Sequence, residues 1–139
     1  MFDWKDFINL SENLLNGTNT LYTEALYRTI ISRSYYGIFK QVEDKLKELE
    51  QKGNITLPRK DLNGNRLGSH EKVIFYLQNH EDEKVKDFGE LLNDLKRQRH
   101  ESDYKAWKRI NERDASTALR LALKLSNNWE FLQKLVEKK

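Results

Sequence analysis

The sequence contains no cysteine, one proline and six glycines among 139 residues. Without cysteine there is no disulfide scaffold, no thiolate metal site and no thiol nucleophile. Redox chemistry therefore sets no constraint on compartment. So few turn-forming residues argue against an all-β sandwich, which needs many tight turns. No apolar run approaches the ~20 residues of a membrane span. The opening stretch MFDWKDFINLSENLLNG carries acids early, where a secretion signal would be basic and then apolar. These absences lead to the expectation of a soluble, cytoplasmic protein with no membrane partner. The length suits one domain over residues 1–139.

What is abundant is charge. Charged residues make up 34% of the chain, with 25 basic against 22 acidic and a net charge of +3. That is a weak global bias and does not by itself announce a nucleic-acid binder. The dominant pattern is helical periodicity. Residues 3–16 place Trp4, Phe7, Ile8, Ser11, Leu14 and Leu15 on one face, with Gly17 as the C-terminal cap. A second helix is expected from about residue 20 to 51, apolar nearly all round in its first two-thirds and so buried on several sides. Its tail, QVEDKLKELEQK, narrows to Val42, Leu46 and Leu49 and should protrude into solvent. Residues 53–68 hold the proline and most of the turn signals. Ser69 is placed to cap a short helix reaching about residue 79. A fourth helix should run from about 83 to 104, striped by Val85, Phe88, Leu92 and Leu95. A fifth should run from about 111 onward, striped by Ala115, Ala118, Ala122, Leu125, Trp129, Leu132 and Val136, with Asn111 and Asp114 as a capping box. The sum is an all-α bundle of about five helices, one of them short.

The fourth helix carries the candidate chemistry. Continuing its apolar stripe reaches Arg99 and then Ser102 or Asp103, so an arginine stands where the pattern wants leucine. A guanidinium on a core-facing stripe is costly unless paired. One account is an internal salt bridge to Asp103 at i+4. The other is an anion or phosphate site in a cleft at the bundle end. Around it lie Lys96, Arg97, His100, Lys105, Lys108 and Arg109, with Tyr104 and Trp107 between them. Rings among cations can stack on unpaired bases while the cations hold the backbone. A solvated helix end gives the same composition. Arg33, amid Ile30, Ser32, Ser34, Tyr35, Tyr36 and Gly37, is expected to be semi-buried. The two tyrosines should pack in the core, their hydroxyls reaching a polar cleft. Gly37 would let a neighbouring helix, or a second subunit, approach closely.

His70, His80 and His100 lack the spacing of a helical zinc pair, and neither H-E-x-x-H nor an aspartate-rich loop is present. No metal or cofactor is expected. Gly64-x-x-x-Gly68-Ser69 lacks the Lys-Ser/Thr of a phosphate loop and reads as turns. No Ser-His-Asp arrangement can be inferred.

Three segments together, ISRSYYGIF (31–39), GSHEKVIFYL (68–77) and LKRQRHESDY (95–104), resemble the HEPN domains of bacteria and archaea. In that family a central helix often reads Ser-Arg-Ala-Tyr-Tyr, a Gly-Ser-His helix start follows, and a later helix ends Arg-x-x-Ala-Asp-Tyr. The likeness runs in order from about residue 20 to 104; the last helix fits only generically. It implies an up-and-down bundle, a four-helix core plus a short helix, that forms a homodimer and binds RNA or nucleotides. Many relatives are metal-independent ribonucleases acting as toxins or in phage defence, some paired with a small nucleotidyltransferase antitoxin (MNT type) that modifies a tyrosine. Their signature is an arginine followed, four to six residues on, by a histidine.

Arg99 matches that arginine, but the histidine position is filled by Tyr104, and His100 lies about 100° around the helix. The resemblance thus assigns Arg99 to phosphate, Asp103 to orienting it, and Tyr104 to proton donation or modification. Arg33, His70, Lys96, Arg97, His100 and Lys105 are the accompanying nucleic-acid contacts. A tyrosine, with a reference pKa near ~10, is a poor general base. Binding is accordingly better supported than cleavage. A non-catalytic RNA- or nucleotide-binding module, or a structural partner of a nucleotidyltransferase, is the alternative.

Overall fold

A computed structural model describes residues 2–17 and 23–137. Five helices are found there: α1 (Lys5–Asn16), α2 (Thr23–Gln51), α3 (Ser69–Gln78), α4 (Glu83–Tyr104) and α5 (Glu112–Glu137). The all-α expectation holds. The start of the second helix expected near residue 20, with Leu21 and Tyr22, lies outside the described residues. None of the described helices is long and apolar enough to cross a membrane.

Local signals set the ends. At α4, Asp82 Oδ1 accepts the Lys84 N–H at 2.8 Å. At α5, Asn111 and Asp114 cap each other, both side-chain-to-backbone bonds being 3.0 Å. At α3 the cap is Gly68 rather than Ser69, and the Glu71 carboxylate reaches back to the Gly68 N–H at 3.3 Å. α2 closes with Gly53 N–H to Glu50 O at 3.0 Å and Asn54 N–H to Leu49 O at 2.9 Å. That paired pattern requires the left-handed backbone of Gly53, at φ 78°. Gly17 ends α1 without it, at φ −104°.

α2 is the hub, packed against each of the other four helices. The expected stripes of α4 and α5 are all buried. The tail of α2 does not protrude. Val42, Leu46 and Leu49 are buried, because the loop folds back and seats Leu57 beside them while α5 runs alongside. The Leu57 N–H donates to Glu50 at 2.7 Å, and Lys45 pairs with Glu137 at 2.5 Å. The stripe is narrow because most of the remaining positions carry lysine and glutamate, whose long stems cover apolar surface, while Glu43 among them is buried.

Two glycines mark close helix crossings. A Cβ on Gly37 would stand 2.6 Å from Ile8 Cγ1 and 3.2 Å from the Trp4 carbonyl. The helix that Gly37 admits is therefore α1 of the same chain, and this glycine is no argument for a second subunit. A Cβ on Gly89 would stand 2.8 Å from the backbone nitrogen of Gln78, where α3 meets α4.

Candidate functional site

The apolar stripe of α4 does deliver Arg99 to the interior, only 8% exposed. Its guanidinium lies over three tyrosine rings, with Cζ 5.3 Å from the centroid of Tyr35, 5.5 Å from Tyr36 and 5.9 Å from Tyr104. Such ring faces attract a cation, and more strongly where water is excluded. Asp103 is the carboxylate partner, but Nη1 to Oδ2 is 3.5 Å. A well-formed charged pair of this type closes to about 2.7–2.9 Å. Nε is buried without a hydrogen-bond partner among the described residues. A guanidinium has five N–H donors, and Asp103 takes only one of them, at full stretch. Both sequence accounts thus meet at one residue: the ion pair exists, and it leaves most of the donors unused.

His70, at the start of α3, is brought into the same cluster. Its Nδ1 lies 2.7 Å from the hydroxyl of Tyr35. Its ring stacks on Phe39, centroids 4.1 Å apart and planes within 12°, and meets Tyr36 edge-on at 5.9 Å. Burial lowers its proton affinity first, and the charges of Arg99, Lys96 and Lys40 push the same way against the opposing pull of Glu43. Of the tyrosine pair expected in the core, Tyr35 is fully buried and Tyr36 only partly, and burial holds the Tyr35 proton on well above the ordinary tyrosine value, with Arg99 opposing. Glu43 is buried too, satisfied by Lys40 at 2.7 Å and Lys47 at 3.6 Å. The helical spacing of 35, 36, 39, 40 and 43 explains why one face of α2 supplies this whole floor.

The remaining expected residues divide into two further groups. Lys96, Arg97, His100 and Lys105 line one open depression along the outer side of α4. Arg97 pairs there with Asp94, and Lys105 reaches Glu101 at 3.6 Å. Tyr104 is 64% exposed and packs on His100 with centroids 4.9 Å apart, so it joins this depression to Arg99. Arg33 corrects the expectation of semi-burial, and it lines a small cleft together with Arg28 and Asp103. It is exposed, because its turn of α2 faces outward beside α1, and its guanidinium covers the Phe7 ring at 5.0 Å.

Arg28 is a residue that the sequence reading missed. Its Nη1 donates to the Ser102 carbonyl at 2.7 Å and its Nη2 to Lys105 at 3.3 Å and to Lys108, while Glu24 holds the other edge at 3.1 Å. It binds a carbonyl of the last turn of α4, which is left without a helical partner, and two carbonyls just beyond the helix end, and so fixes the segment carrying Asp103 and Tyr104. The only sequence trace is its i+4 spacing from Glu24. No group of three or more metal-ligating side chains is gathered among the described residues. Comparison with known protein families, curated proteins and solved structures returned no match.

Proposed function

We propose that this chain is a HEPN-type RNA-binding bundle in which Arg99 grips a backbone phosphate and the basic depression of α4 holds the flanking strand. The observation that carries this reading is a guanidinium nine-tenths buried, cradled by tyrosines, with one stretched ion pair and unused donors. A buried cation with spare donors favours an anion that can accept several hydrogen bonds at once, as phosphate oxygens do. Exposed Tyr104, beside His100 and near Lys105, offers a ring on which an unpaired base can stack. The reading includes the homodimer and the nucleotidyltransferase partner that the family resemblance implies, with Tyr104 accessible enough to be modified.

The nearness of His70 favours a second reading, metal-independent cleavage. In that reaction the 2′-oxygen bonds to the adjacent phosphorus as the bond to the 5′-oxygen breaks. One proton leaves the 2′-hydroxyl and one reaches the departing oxygen, while Arg99 would neutralise the extra charge on phosphorus.

The test is binding of short single-stranded RNA to the full chain with EDTA present. Arg99→Ala should weaken binding about ten- to a hundredfold, the worth of charge-assisted hydrogen bonds, and should reduce the salt dependence. Equal affinity of the two proteins would overturn the phosphate role. Products ending in a cyclic phosphate would establish cleavage, and tight binding without products would establish the non-catalytic module.

A further inference from the structure

Tyr35 has one hydrogen bond among the described residues, to His70 Nδ1 at 2.7 Å. A buried phenol whose proton is held on must donate it or leave a donor unsatisfied. The acceptor in reach is Nδ1, so the neutral imidazole of His70 carries its own hydrogen at Nε2. Phe39 fixes the plane of the ring by stacking on it. One nitrogen is therefore committed to the protein, and the other is a donor with no protein partner among the described residues.

The charges that act on the His70 ring come from two helices. α2 presents Tyr35, Tyr36, Lys40 and Glu43, and α4 presents Lys96 and Arg99. Three cations act on it against one carboxylate, Glu43 is already bonded to Lys40, and Arg99 lies against the same two tyrosine rings as His70. A free N–H among cations is suited to an anion.

We propose that His70, held by Tyr35 as the Nε2–H tautomer, is the second hydrogen-bond donor to the phosphate that Arg99 binds, with Tyr35 as the positioning residue. This rests on the reading of Arg99 as a phosphate ligand. It adds a consequence. A bound phosphate favours the imidazolium over the neutral ring; the proton taken up goes to Nδ1, where the Tyr35 oxygen turns from donor to acceptor, and binding tightens as pH falls.

The experiment is nitrogen-detected NMR of the histidines in the full chain, titrated in pH alone, with saturating inorganic phosphate, and with saturating single-stranded RNA. The free protein should show the Nε2–H tautomer at His70. Either ligand should raise the titration midpoint by about one unit, equivalent to a tenfold tighter hold on the charged ring. Tyr35→Phe should give mixed tautomers and a smaller shift, and Arg99→Ala should abolish it. His70→Gln, whose amide can still donate, should keep most of the affinity and lose its pH dependence. A Nδ1–H tautomer, or an unmoved midpoint with RNA bound through Arg99, would overturn the role of His70 and leave RNA binding standing. If RNA fails to bind, the functional reading falls, while the phosphate titration alone still decides the inference: a raised midpoint supports it and an unmoved one ends it.

Discussion

Arg99 and Asp103 sit one turn apart on α4 with Nη1 and Oδ2 at 3.5 Å, close enough to attract and too far to lock. The carboxylate therefore competes with an incoming phosphate for the guanidinium more than it shapes it. Asp103→Asn should tighten RNA binding by about threefold, the size of a solvent-screened pair worth roughly 0.6 kcal/mol. Fluorescence anisotropy at low salt measures it. A loss of affinity would instead show that the carboxylate aims the arginine.

Arg28 fastens the end of α4 and the turn after it to α2 by donating to the carbonyls of Ser102 and Lys105. Arg28→Ala should cost about 1–3 kcal/mol of stability, the value of hydrogen bonds to a charged donor. Hydrogen exchange should quicken across residues 102–108 while α5 stays protected. Arg28→Lys should recover only part, since an ammonium cannot span several carbonyls with a planar fork. Unchanged exchange in that segment would remove Arg28 from its positioning role.

The parts of this architecture written locally were legible in the sequence. The α4 and α5 stripes repeat every three to four residues, and Asn111 and Asp114 cap each other as their spacing suggested. Arg99 was legible because it breaks such a stripe. Features that depend on a distant partner were not. Arg33 and Arg99 both lie in helices lined by buried apolar residues, yet one is exposed over Phe7 and the other is enclosed by tyrosines. Only the placement of α1 and α4 around α2 decides between them. The bond between Tyr35 and His70 likewise spans 35 positions and leaves no periodic trace.

Gly37 and Gly89 admit neighbouring helices at two crossings, but what blocks a methyl group differs. At Gly37 the nearest atom is the side chain of Ile8 at 2.6 Å; at Gly89 the nearest are Gln78 N and Leu77 Cβ, both at 2.8 Å and both fixed by the backbone of α3. Overpacking a core costs about 1–3 kcal/mol, and the helix propensity of alanine returns up to ~1 kcal/mol. Gly37→Ala should therefore destabilise mildly, and its added cost should vanish in an Ile8→Ala background, where the Cγ1 in the way is gone. Gly89→Ala should be the more damaging, since no side chain can yield. Denaturant midpoints of the single and paired variants check both. Gly37→Ala matching the wild type would mean that α1 shifts freely on α2.

The His70–Tyr35 pair should make the fold sensitive at both ends of the pH range. His70 holds a proton less readily in the folded protein than in the unfolded chain, where its pKa is near ~6.5. As pH falls below that value the unfolded chain takes up the proton first, so the stability contributed above about pH 6.5 is lost progressively. Tyr35 behaves in the opposite sense. Its folded form holds the proton more tightly than the ordinary tyrosine, so its contribution is complete below ~10 and is lost as pH rises past that value, where the unfolded chain releases its proton. Denaturant midpoints measured across this range should fall toward both ends. His70→Gln should flatten the acidic limb and Tyr35→Phe the alkaline one. An acidic limb unchanged in His70→Gln would show that other groups set it, and would remove His70 as a titrating member of the buried cluster.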